Sequence, residues 1–177
     1  NLANLLRAMG RLDEAIAEKM RALAIRPDSA ETYHSLGTAL RERGRLDEAA
    51  ACGRQALLLK PDFAEAYNGL GNTLQAQGRL DEAIACYREV LSLKPDSTIA
   101  YSNLLYTLQF HPGVTPEESF AEHRKFDEAL CRPLRDSQPH GNDATPDRRL
   151  RVGYISTEFR DHSLGFYLTA LLSNHDK

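Results

Sequence analysis

The sequence predicts a mostly α-helical protein: a superhelical solenoid of stacked helix pairs, then a connecting helix, then the first β–α step of a doubly wound α/β domain. Three observations in its 177 residues carry this expectation. Gly10-Arg11-Leu12-Asp13-Glu14-Ala15 returns as Gly44-Arg45-Leu46-Asp47-Glu48-Ala49 and again as Gly78-Arg79-Leu80-Asp81-Glu82-Ala83, each copy 34 residues after the last. A fixed period of this size is the signature of a repeat array. Pro27-Asp28, Pro61-Asp62 and Pro95-Asp96 keep the same spacing, and from Arg149 onward the composition turns β-rich.

Within each period the residues spell two helices and two turns. Ala64 to Gln77 carries Tyr67, Leu70, Gly71 and Leu74, the i, i+3, i+4, i+7 stripe of an amphipathic helix. Gly78 ends it, because glycine accepts the left-handed conformation of a C-terminal cap. A second helix begins near Leu80, with Asp81 and Glu82 in the first turn, where the helix dipole favours negative charge. It runs through Ala83, Ile84, Tyr87, Val90 and Leu91 to Pro95, which lacks the N–H a helix interior needs and disfavours helix at Lys94.

A further period opens at Thr98 with Tyr101 and Leu104, but its turn is replaced by Phe110-His111-Pro112-Gly113. Thr115-Pro116-Glu117-Glu118 then reads as a capping box with proline at the first helical position. Phe120, His123, Phe126, Ala129 and Leu130 continue at helical spacing. His111 and His123 read as structural. Asp136 to Asp147 is polar with two prolines and one glycine, a linker composition. Arg149 to Ser156 alternates as a strand, Thr157 to Ser163 is a loop, and Leu164 to Leu172 suits a helix with Ser163 as its cap. The expected organisation is repeats over 1–112 (the first truncated, the fourth incomplete), connecting helix and linker over 113–147, and the opening of the α/β domain over 148–177.

Composition narrows the function classes. Hydrophobic residues make up 42% and charged residues 27%, ordinary for a globular protein. No apolar run approaches the roughly 20 residues of a membrane span. A net charge of −3 offers no electrostatic footprint for nucleic acid. Cys52, Cys86 and Cys131 contain no CxxC pair and suit a reducing, cytoplasmic compartment. Neither a metal site nor a resident cofactor is expected, since Cys52 and Cys86 recur once per repeat, which is not a metal-ligand spacing. They read as fillers of small core gaps.

With Ala30 and Ala64 as first positions, Tyr33/Tyr67, Leu36/Leu70, Gly37/Gly71, Ala49/Ala83, Ala56/Val90 and Pro61/Pro95 resemble the packing residues of the tetratricopeptide (TPR) repeat. The aromatic usual in the second helix survives as Tyr87 but is replaced by Lys19 and Gly53 in the earlier copies, so looser packing is expected there. In this register Asn1 is a sixth position, and further repeats are expected upstream. The resemblance implies a concave groove lined by the first helices, with Asn1, Ser35, Gly69 and Asn103 at sixth positions and Asn4, Thr38 and Asn72 at ninth positions. Asparagine both donates and accepts, so a column of them suits the backbone of an extended peptide. A solvated polar face without a ligand is the competing reading. The basic clamp of chaperone-binding TPR modules would need Lys or Arg at positions that here hold Glu65 and Gly69, or His34, Ile99 and Asn103.

Arg149-Leu-Arg-Val-Gly-Tyr-Ile-Ser-Thr-Glu-Phe-Arg-Asp-His162 is similar to the start of the catalytic region in O-GlcNAc transferase and SPINDLY-like glycosyltransferases. Tyr101-Ser-Asn-Leu-Leu-Tyr-Thr-Leu and Phe120-Ala-Glu-His-Arg also resemble the bacterial branch of that family. The resemblance implies a Rossmann-like GT-B catalytic region and transfer of a sugar, usually N-acetylglucosamine from UDP-GlcNAc, to a Ser or Thr hydroxyl of an acceptor protein held in the TPR groove. It carries the family's active-site histidine onto His162, with Ser163 where the family often has proline. The donor-binding half would lie downstream, so these 177 residues alone are expected to be catalytically silent. Fucose is an alternative donor sugar in the SPINDLY-like branch. The other class of function is a non-enzymatic TPR scaffold for protein–protein interaction.

Overall fold

The computed structural model describes residues 11–132, all within one compact unit. They form seven α-helices and no strand. These are α1 (Leu12–Ile25), α2 (Ala30–Glu42), α3 (Leu46–Leu59), α4 (Ala64–Ala76), α5 (Leu80–Leu93), α6 (Thr98–Gln109) and α7 (Pro116–Phe126), and α7 runs into a π-helical turn, Asp127–Cys131. The expected linker, the strand from Arg149, the helix from Leu164, His162, Asn1 and Asn4 lie outside the described residues.

Turn chemistry explains the boundaries. Gly44 and Gly78 take positive φ values of 80° and 75° at the ends of α2 and α4. Each is the left-handed residue of a Schellman motif: Gly44 N–H reaches the Arg41 carbonyl and Arg45 N–H the Leu40 carbonyl, both at 2.9 Å, and the same pair of bonds recurs around Gly78. Ser29 and Ser97 cap α2 and α6 by accepting from the Thr32 and Ala100 amides. At the equivalent place before α4 stands Phe63, which supplies no cap but buries its ring. The capping box at Thr115 forms as expected, its hydroxyl accepting from Glu118 N–H while the Glu118 carboxylate accepts from Thr115 N–H.

The second helices start without a side-chain cap. Instead Arg11, Arg45 and Arg79 each turn a guanidinium onto the glutamate three residues on, at 2.5, 2.6 and 2.6 Å. The aspartate of the same motif has another task. Asp13 receives Arg43 at 2.9 Å, Asp47 receives Gln77 at 2.8 Å and Asp81 receives His111 at 2.9 Å, so one repeat-to-repeat link is made by three different donors. His111 is thereby structural: Nε2–H donates to Asp81, and Nδ1 accepts from Gly113 N–H at 3.1 Å within the altered turn. His123 donates through Nδ1 to its own helix at the Ser119 carbonyl.

The helices pack as hairpins, α2 with α3 and α4 with α5, and each hairpin leans on the next through α3–α4 and α5–α6 contacts. The first helices α2, α4 and α6 lie side by side. The largest core cluster surrounds Tyr87 and includes Leu70, Leu74, Ile84, Leu104 and Leu108. Phe126 of α7 closes its end, edge-on to Tyr101 at 5.5 Å.

Two expectations are corrected. Packing at Gly53 is not loose, because Leu70 fills the space: a Cβ on Gly53 would lie 3.2 Å from the Leu70 Cβ. Nor is it loose at Lys19, which is 4% exposed and donates from Nζ to the Ser35 hydroxyl at 2.8 Å. The helical spacing through Leu130 is also interrupted, since the chain widens into the π-helical turn after Phe126.

Candidate functional site

The groove face of α2, α4 and α6 carries five of the residues expected to line it: Ser35, Thr38, Gly69, Asn72 and Asn103. Asn103 Nδ2 donates to Asn68 Oδ1 at 2.9 Å and to Asn72 Oδ1 at 3.2 Å. From the second helix, the Tyr87 hydroxyl donates to the same Asn72 oxygen at 2.9 Å. The asparagines of successive repeats are thus joined into one network, and Asn72 Nδ2 has no partner among the described residues. Ser35 stands apart: its hydroxyl accepts from Lys19 and donates to the Thr32 carbonyl at 3.0 Å. The Thr38 hydroxyl bonds back to the His34 carbonyl at 3.1 Å, in α2 itself.

Two clefts open along this face. One, of about 400 Å³, is bordered by His34, Thr38, Glu65, Asn68, Lys94 and Ile99. Burial lowers the affinity of His34 for a proton, so the imidazole is neutral at pH 7; its ring meets Phe63 edge-on at 5.3 Å. Lys94 lies 2.5 Å from Glu65, and that hydrogen bond, with one from backbone N–H, holds the Glu65 carboxyl below its usual range. The second cleft, of about 490 Å³, is bordered by Gln75, Leu80, Tyr106, Thr107 and Phe110. Arg41 and Asn72 border both.

Burial holds the thiols and the phenol behind this face in their neutral forms. Burial pushes the Cys86 thiol up to about 11 and also raises Cys52, which keeps both protonated. Burial pushes the Tyr87 phenol up to about 12, so at neutral pH it is a fixed donor to Asn72. Among the described residues no cluster of His, Cys, Asp or Glu is arranged to hold a metal ion. No described helix is long and apolar enough to cross a membrane.

Asn68, Tyr87 and Arg41 were missed by sixth- and ninth-position reasoning. Asn68 follows His34 by one period, so the repeat register contained that signal. Tyr87 is read in sequence as core, and only its hydroxyl reaches the groove.

The geometry defines the class first: a helical-repeat module with a polar inner groove. Family comparisons then narrow it. The tetratricopeptide repeat family matches residues 64–97, and a second TPR repeat family matches residues 3–40 and 37–78. The solenoid is a tetratricopeptide-repeat array, and such repeats are protein–protein interaction modules. No curated protein sequence matches the chain. Among solved structures, MamA superposes with a TM-score of 0.71 at 24% identity, over 78% of this chain and 74% of its own. The second TPR domain of human RPAP3, in complex with an HSP70 peptide, gives 0.57 at 25% identity, over 59% of this chain and 88% of that one. A mutant of Thermobaculum terrenum O-GlcNAc transferase gives 0.67 at 31% identity, over 98% of this chain but only 34% of that one. This chain therefore spans about a third of that transferase.

Proposed function

We propose that this chain is the acceptor-binding region, and the beginning of the catalytic region, of a cytoplasmic protein O-linked glycosyltransferase that transfers N-acetylglucosamine from UDP-GlcNAc to Ser or Thr hydroxyls. The observation that carries the binding half is the amide network of Asn68, Asn72 and Asn103, which presents backbone-like hydrogen-bonding groups along the groove. Support for the catalytic half comes from the 31% identity to an O-GlcNAc transferase over almost the whole chain, together with the Arg149–His162 motif. In this reading residues 1–112 are repeats, 113–147 connect, and 148–177 open a Rossmann-like domain whose loop carries His162. Histidine there would exchange a proton with the acceptor hydroxyl or orient it.

In the full-length protein, Asn72→Ala with Asn103→Ala should raise KM for protein acceptors several-fold more than for short peptides, as steady-state kinetics would show. His162→Ala should remove most turnover while the repeats stay folded. Unchanged turnover in His162→Ala would end the assignment of that residue. A second reading, a non-enzymatic scaffold, is favoured by the RPAP3 domains, which bind HSP90 and HSP70 peptides on a similar frame. Several hundred codons of alternating strand–helix pattern beyond Lys177 would support the transferase; an early stop codon would support the scaffold.

A further inference from the structure

We propose that Arg41 and Asn72 form a subsite for the carboxylate of an acidic side chain in the peptide that occupies the groove. The inference rests on the reading of the groove as a peptide site and adds a specificity to it.

Arg41 sits in the last turn of α2, half-buried, at the junction of the two clefts. Among the described residues no carboxylate lies within ion-pair distance of it. Its charge is nonetheless felt inside the groove, where it opposes the effect of burial on Tyr87. The charged groups on the facing elements cancel, because Glu65 of α4 is matched by Lys94 beyond α5. Asn72 is committed as an acceptor only. Asn72 Oδ1 is filled by Asn103 and Tyr87, so what Asn72 still offers is the donor side, Nδ2. Gln75 is committed in the opposite sense, donating from Nε2 to the Thr107 hydroxyl at 3.1 Å.

This stretch of the groove therefore presents a guanidinium and an amide donor with no competing acceptor of negative charge. A carboxylate is the ligand group that satisfies both, and a guanidinium can hold it in two parallel bonds. Tyr106 and Phe110, their rings tilted 54° to each other with centroids 4.8 Å apart and both more than half exposed, form an apolar wall on the far side of the same cleft. The favoured occupant is an extended segment with an acidic residue beside a large apolar one.

The test uses the whole 177-residue chain and three fluorescein-labelled peptides that share a Ser/Ala/Thr frame with one leucine and differ at one neighbouring position: Glu, Gln or Lys. Anisotropy at low salt should show the Glu peptide bound roughly tenfold more tightly than the Gln peptide, the size expected of a charge-assisted contact. Arg41→Gln should abolish that preference and leave the Gln peptide unchanged, Arg41→Lys should restore part of it, and Asn72→Ala should weaken all three peptides. Thermal unfolding confirms that each variant is folded. Equal binding of the Glu and Gln peptides by the unaltered chain would overturn the subsite and leave the groove reading standing. An equal loss of all three peptides in Arg41→Gln would overturn it too, by making Arg41 a support of the groove. Failure of every peptide to bind the unaltered chain would overturn both readings.

Discussion

Three second helices present three different side chains at one repeat position: Lys19, Gly53 and Tyr87. Around Tyr87 the ring is fully buried and lies against Gly71, where even a Cβ would come within 2.6 Å of Cε1. Its hydroxyl passes through to Asn72 in the groove. Lys19 reaches the groove side as well, ending on Ser35 of the next repeat. Gly53 reaches nothing, and Leu70 from the following hairpin moves into its place. The comparison shows that the repeat frame is indifferent to how this space is filled, whereas the polarity of the groove is not. Where the second helix supplies a hydroxyl or an ammonium, a groove side chain is held by it; where it supplies glycine, none is.

The largest break in that comparison is Tyr87→Ala, which empties the main core and should cost about 4 kcal/mol in urea unfolding. Tyr87→Phe keeps the ring and should cost only about 1 kcal/mol. Weakened peptide binding by Tyr87→Phe would show that the hydroxyl orders Asn72, and unchanged binding would separate core from groove. Next comes a paired glycine test. Gly71→Ala forces the buried ring aside and should destabilise by about 2 kcal/mol. Gly53→Ala meets Leu70 at a longer distance and gains helix propensity, so its net change should stay within about 1 kcal/mol. Equal effects would mean that the two hairpins pack alike after all.

An alkaline titration sharpens the same point. Burial favours the neutral phenol of Tyr87, so the unfolded chain gives up that proton first. Its contribution is therefore whole below about pH 10 and is lost as pH rises toward about 12. Tyr87→Phe should show a shallower loss of stability across that interval in denaturant midpoints. Smallest of all, Lys94→Gln removes an exposed ion pair with Glu65 and should change stability by less than about 0.5 kcal/mol.

Much of the scaffold was legible in the residues themselves. Gly44 and Gly78 announced their caps, Thr115-Pro116-Glu117-Glu118 its capping box, and the 34-residue register the order of helices. Local signals of this kind work because a cap or a turn is completed by residues a few positions apart. The candidate site was legible only in part. Asn72 and Asn103 could be placed on the inner face from their register, but their pairing with Asn68, and the hold of Tyr87 on Asn72, join residues 15 to 35 positions apart. Ser35 shows the reverse, a residue at a groove position whose hydroxyl is taken up by Lys19.

Sequence by itself determined the period, the turns that end and begin the repeat helices and the repeat type of the solenoid, since each follows from steric and hydrogen-bonding rules that act within one turn or one hairpin. Tertiary structure alone decided which polar atoms in the groove remain open. That depends on whether a side chain from another helix arrives to satisfy them: Tyr87 and Asn103 do so at the Asn72 oxygen, and among the described residues no carboxylate does so at Arg41.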